Sequence, residues 1–149
     1  MDTIRLPQDF SDFLRLLNSH KVEYLLIGGF AVGYHGYPRA TGDMDIWIAI
    51  SPENADKMIK LLKEFGFDVP GLTADLFMKK RQVVRMGMPP IRIEVITDIS
   101  GVSFDECYNK KVIAFIDDIS VNIISSEHLK INKKASGRIK DLNDLEHLP

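Results

Sequence analysis

Residues 28–48 read GGFAVGYHGYPRATGDMDIWI, and this stretch decides how the rest of the chain is read. An apolar run, VEYLLI at 22–27, leads into the glycine pair, and a second apolar run starts at two aspartates set one residue apart. Successive side chains of a strand point to opposite faces. In residues 43–50 this alternation sends Met44, Ile46, Ile48 and Ile50 one way and Asp43, Asp45 and Trp47 the other. Two like charges on one face raise each other's pKa unless a cation sits between them. A divalent ion resolves that repulsion. Hard oxygen donors with no His or Cys beside them favour Mg2+ or Mn2+ over Zn2+. Alone, a D-x-D pair is more often two solvated acids at a strand start.

A third acid changes the weighing. Residues 91–95, IRIEV, alternate in the same way, with Arg92 and Glu94 turned outward. If this strand lies beside residues 43–50, Glu94 joins Asp43 and Asp45, and three carboxylates on one face suit the two-metal scheme of phosphoryl transfer. The competing reading makes Glu94 an exposed cross-strand partner for Arg92 or Arg85. Gly28 and Gly29 carry two readings as well. They are a backbone cradle that lets N–H groups approach a phosphate at the start of a helix, or a tight turn that needs positive φ.

Composition limits the classes. The chain has 149 residues, 45% of them apolar and 27% charged, as an ordinary folded domain does. With 19 basic and 21 acidic residues the net charge is −2, so overall electrostatics give no nucleic-acid affinity, although a local basic patch is compatible with it. The single cysteine, Cys107, excludes an internal disulfide and a cysteine-based zinc site and suits a reducing cytoplasm. MDTIRLPQDF carries no apolar leader, and no apolar run nears the ~20 residues that span a bilayer. The expectation is one cytoplasmic domain over residues 1–149, with no membrane segment.

Periodicity predicts helices over residues 7–21 and 51–66, the second opened by Ser51-Pro52 and closed by Gly66. Short helices are expected at 30–36, 73–77 and 103–110, and strands at 22–27, 43–50, 81–86, 91–97, 112–116 and 120–124. Residues 125–149 read as a C-terminal helical segment broken near Gly137, with Leu142, Leu145 and Leu148 on its apolar side. The fold class is α/β (α+β), a mixed, mostly antiparallel sheet flanked by helices. Lys130, Lys134 and Arg138 form one basic ridge if the segment is a continuous helix. The competing reading pairs these cations with Asp141 and Asp144.

The run LLIGGFAVGYHGYPRATGDMDIWI, with an acid following in IRIEVIT, resembles the nucleotidyltransferase superfamily that shares the DNA polymerase β catalytic fold. Gly-Gly, Arg-x-Thr before the aspartates and the ending KKASGRIKDLNDLEHL are most similar to minimal nucleotidyltransferases grouped with the AbiEii-type toxins. The resemblance runs from about residue 22 to the C-terminus and implies the following roles. Gly28 and Gly29 hold nucleotide phosphates, and Arg39 and Thr41 steady the loop or contact phosphate. Asp43, Asp45 and Glu94 are the metal-binding and catalytic carboxylates, with Glu94 at a position usually held by Asp. Arg138 and Lys140 are the nucleotide-binding cations of the ending. The implied reaction transfers a nucleoside monophosphate from an NTP to a hydroxyl of RNA, tRNA or protein, with Mg2+ or Mn2+. A toxin of a toxin-antitoxin pair with an antitoxin partner protein is one setting. An antibiotic-modifying enzyme and a catalytically silent binding module are the alternatives.

Overall fold

The computed structural model describes residues 6–39, 41–88 and 91–149. In chain order it holds α1 (Gln8–Ser19), β1 (Tyr24–Ile27), α2 (Gly28–Tyr34), β2 (Asp43–Ile48) and α3 (Pro52–Phe65). A 3-10 turn (Ala74–Met78), β3 (Val83–Met88), β4 (Ile91–Ile96) and α4 (Phe104–Asn109) follow. The chain ends with β5 (Val112–Ile116), β6 (Ile119–Ile123), α5 (Ser126–Ser136) and α6 (Ile139–His147). The strands make one sheet in the order β3-β4-β2-β1-β6-β5. β1–β2, β3–β4 and β5–β6 are antiparallel, and β1–β6 and β2–β4 are parallel. This is the mixed, mostly antiparallel α/β architecture that the sequence pattern predicts. Pro89 and Pro90, expected between the two middle strands, lie outside the described residues, as do residues 1–5 of the supposed leader-free start.

Local chemistry sets the element ends. Phe10, Phe13, Leu14 and Leu17 bury one face of α1. Ser51 caps α3 by accepting from the Asn54 N–H at 3.1 Å, Pro52 fills its first turn, and Gly66 ends it at φ 97°. Gly137 at φ 66° ends α5. Asp117 and Asp118, at φ 52° and 63°, form the two-residue turn between β5 and β6. No helix among the described residues is long and apolar enough to cross a membrane.

Trp47, on the face of the aspartates by strand alternation, is 1% exposed and meets Phe104 of α4 edge-on at 5.1 Å, so α4 covers that face of the sheet beyond the acids. The structure departs from the sequence reading at two places. α6 does not bury Leu142, which is 42% exposed; its inward residues are Asp141, Asp144 and Leu148. The basic ridge is interrupted, because α5 stops at Ser136 and Arg138 is the residue before α6.

Asn54 holds the entry of α3 onto the sheet. It is 1% exposed, its Nδ2 donates to Glu23 O (3.1 Å) and Ala49 O (2.9 Å), and its Oδ1 accepts from Glu23 N at 2.9 Å. Asn54→Ala takes the bonding partner from Glu23 N and Ala49 O, while Glu23 O keeps the Ala49 N–H at 3.1 Å; it is expected to cost about 2–3 kcal/mol in urea unfolding, with an unchanged m-value. A loss under about 0.5 kcal/mol would show that water replaces the side chain.

Candidate functional site

The β2–β4 register places Asp45 beside Glu94 and Asp43 beside Arg92, and the β3–β4 register places Arg85 beside Glu94. Arg92 Nη2 donates to Asp43 Oδ2 at 3.1 Å and lies 3.3 Å from Glu94 Oε1. Arg85 Nε donates to the same Glu94 oxygen at 3.1 Å. Glu94 therefore stands with the two aspartates and also pairs with both arginines. Asp45 is left without that help. Its Oδ1 is buried and has no hydrogen-bond partner. Burial, then the charges of Glu94 and Asp43, push its pKa up to about 6, against a smaller lowering by Lys140.

Gly28 lies at φ 69°, and a Cβ built on it would fall 2.2 Å from Asp45 Oδ2. A Cβ on Gly29 would fall 2.9 Å from Thr41 Oγ1. The glycine pair thus makes room for one acid and for the loop that carries the other, since the Thr41 hydroxyl donates to Asp43 O at 3.2 Å. Gly28 meets the turn reading with its positive φ, and it also lines a cleft.

That cleft, about 400 Å³, is lined by Gly28, Gly29 and Asp45 on the sheet side and by Lys133, Arg138 and Lys140 from the C-terminal helices. Arg39 also reaches it, but its guanidinium grips Asp144 at both oxygens, 2.9 Å each. Lys133, which nothing in the sequence sets apart from its neighbouring lysines, is central in the structure. Only 5% exposed, it donates to Asp141 Oδ1 at 2.8 Å and Asp144 Oδ2 at 3.1 Å. Arg138 Nε and the Ser136 hydroxyl both donate to Asp141 Oδ2, the former at 2.7 Å. Burial raises the pKa of Asp141, but the bonds from Lys133, Ser136 and Arg138 outweigh it and hold the group at about 2. Asp144 is lowered in the same way, with Arg39 and Lys133 outweighing its burial. The spacing of Asp141 and Asp144, three apart on one helix face, was the available signal; Arg39, 105 residues from Asp144, gave none.

A histidine and the one cysteine lie apart from the cleft lining. His35 Nε2 donates to Ile124 O at 2.7 Å and ties α2 to the end of β6. The Cys107 thiol is buried and pushed up to about 11 chiefly by that burial, so it is not an activated nucleophile.

A hard divalent cation is the group this carboxylate set would take. Among the described residues no three His, Cys, Asp or Glu side chains close around one point. The residues nevertheless fit the ion on two counts. Asp45 Oδ1 is a buried oxygen without a donor, and only two arginines stand among three carboxylates. The donor set is oxygen throughout, which suits Mg2+ or Mn2+.

No described family matches the sequence, and no curated protein matches it. Solved structures do. A protein of Thermotoga maritima classed as a nucleotidyltransferase is 18% identical with a TM-score of 0.60, over 92% of this chain and 88% of that one. An antigenic nucleotidyltransferase-like protein from Paracoccidioides brasiliensis is 21% identical with a TM-score of 0.56, over 94% and 74%. A lincosamide antibiotic adenylyltransferase with lincomycin bound is 15% identical with a TM-score of 0.57, over 99% and 98%. At such identities the likeness is one of fold, and the chain has the nucleotidyltransferase fold.

The buried ion cluster predicts a pH signature. Asp141 titrates at about 2 when folded and near 3.8 when unfolded, so its stabilisation is full above pH 4 and is lost as pH falls from about 4 to about 2. Lys133→Ala takes a shared cation from two buried carboxylates, leaving Asp144 to Arg39 and Asp141 to Arg138 and Ser136, and is expected to cost about 2–3 kcal/mol at pH 7, with the acid transition moved to higher pH. Urea titrations of both proteins from pH 2 to 7 check this; parallel curves would remove Lys133 from the cluster.

Proposed function

We propose that the chain is a metal-dependent nucleotidyltransferase, moving a nucleoside monophosphate from an NTP to a hydroxyl acceptor with release of pyrophosphate. The observation that carries this reading is Asp45: a buried oxygen without a partner, at the wall of a basic cleft that opens on Gly28 and Gly29. In this reading residues 1–149 act as one catalytic domain. The backbone of Gly28 and Gly29 receives the phosphates, and Arg138 and Lys140 meet the charge of the triphosphate. Asp43, Asp45 and Glu94 hold Mg2+ or Mn2+. When bound, the ion neutralises charge that develops on the transferred phosphoryl group and its leaving oxygen. The acceptor oxygen attacks the α-phosphorus, the bond to the β-phosphate breaks, and pyrophosphate leaves with the electron pair. Glu94 takes the acceptor's proton, and its extra methylene relative to Asp lengthens its reach. Arg39, clamped to Asp144, steadies the loop on which Thr41 positions Asp43.

The resemblance of the ending to the AbiEii-type toxins supports an RNA, tRNA or protein acceptor and a toxin held by an antitoxin partner in the cytoplasm. The likeness of fold to the lincosamide adenylyltransferase supports a second reading, in which the acceptor is a small antibiotic. A catalytically silent module has no use for Asp45, whose charge disfavours folding at neutral pH.

Asp45 also separates function from stability. Its pKa rises on folding from 3.8 to about 6, so the stability it contributes in acid is lost as pH rises through 6. Asp45→Asn is expected to abolish transfer from labelled NTP while Tm at pH 7 stays level or rises. Calorimetry should show metal-dependent NTP binding in the native chain and none in the variant. Full activity of Asp45→Asn would end the proposal. Presenting total RNA, cell protein and a lincosamide as acceptors in parallel then separates the two readings.

A further inference from the structure

β5 lies at one end of the sheet, three strands away from β2 and its acids. Ile116 and Ile119 flank the two-residue turn as a pair, so Ile116, Ala114 and Val112 turn their N–H and C=O groups toward β6. Ile113 and Phe115 must then turn theirs to the outer edge, which no strand among the described residues covers. The same two residues also place large apolar side chains in solvent, 58% and 78% exposed, on one face of the strand. An exposed edge with unpaired backbone groups and apolar side chains is a template for another strand.

The residues on either side of the strand say which strand. Lys110 and Lys111 precede it, and Asp117 and Asp118 follow it. We propose that β5 docks a second copy of this chain, antiparallel, about a two-fold axis through Ala114. In that register Ile113 of one copy faces Phe115 of the other, and Lys110 and Lys111, just before the strand, lie at the end where the other copy's Asp117-Asp118 turn stands. Both members of the Ile113–Phe115 pair offer outward backbone groups, so they form a hydrogen-bonded pair. A shift by two residues keeps the backbone bonds and loses the juxtaposition of opposite charges. A parallel arrangement sets Lys against Lys and Asp against Asp. Edge strands guarded against pairing carry charged residues, especially Lys, or Pro on the strand; residues 112–116, VIAFI, carry neither, and the opposite charges that flank them are self-complementary only in the antiparallel sense. Lys111 keeps its ammonium 3.9 Å over the Tyr108 ring, which fixes positive charge at that end of the strand.

A five-residue edge is small beside the roughly 1,200–2,000 Å² of stable interfaces, so the dimer forms at roughly micromolar to millimolar concentration. Sedimentation equilibrium of the full chain up to about 1 mM should show a monomer–dimer equilibrium. Two charge variants are then compared, Lys110→Glu with Lys111→Glu, and Asp117→Lys with Asp118→Lys. Lysine at positive φ is already present at Lys21, φ 57°. Each variant alone should dimerise roughly tenfold or more weakly than the native chain, and an equal mixture should recover a heterodimer at least as tight as the native dimer. If the Lys variant does not fold by circular dichroism, Asp117→Asn with Asp118→Asn replaces it, Asn being at ease at positive φ. Its mixture with the Glu variant should associate more tightly than either alone. A native chain monomeric at about 1 mM overturns the proposal. So do charge variants that dimerise as the native chain does, and so does a mixture with no heterodimer.

Discussion

Setting Asp45 of β2 beside Glu94 of β4 is the constraint around which the rest is built. Parallel pairing of these strands forces two carboxylates together at the centre of the sheet, where water cannot screen them well. The sheet answers from within. Arg92 and Arg85, both carried by the hairpin strands β3 and β4, take up Asp43 and Glu94. Neither takes up Asp45, and the chain leaves that residue with a buried oxygen unbonded and a raised pKa. Gly28 completes the arrangement, since any side chain there would occupy the space of the Asp45 carboxyl.

The C-terminal helices treat charge in the opposite way. Lys133, Asp141, Asp144 and Arg39 are brought together so that each buried charge has a partner of opposite sign, and both carboxyls sit below their ordinary pKa. A segment that reads as basic is therefore largely self-neutralised. Arg138, with a side chain 75% exposed, still reaches both Asp141 and the cleft, and Lys140 faces the cleft and acts on Asp45. One cluster is satisfied and rigid; the neighbouring one is left with negative charge uncompensated. Native structures concentrate such unsatisfied groups where a ligand completes them.

The sequence disclosed what depends on local pattern and withheld what depends on distant contacts. Asp43 and Asp45 sharing a face, Ser51-Pro52 opening α3 and Gly137 ending α5 follow from period, capping and backbone freedom. The alternation of IRIEV located Glu94, and the structure supplied the register that period alone does not give. Alternation gave the face that Trp47 takes, and only the structure shows that α4 covers it. α6 misled, because the partners that bury its acids lie outside that helix. An apolar stripe usually marks the inward face, but here Lys133 and Arg39 give Asp141 and Asp144 enough partners to be buried in preference to Leu142.

These two clusters are joined through a short piece of chain. Asp144 holds Arg39, Thr41 packs against Gly29, and the Thr41 hydroxyl bonds the backbone of Asp43. From the buried ion pair to the first acid of the site is a span of five residues, 39 to 43. A shift of α6 must therefore move the loop before β2, because a bidentate arginine pair resists shear better than a single contact. The C-terminal segment closes one wall of the cleft and, through Arg39, also fixes the place from which Asp43 starts. One buried pair thus bears on both walls of the cleft, the helical one directly and the sheet one through Arg39 and Thr41.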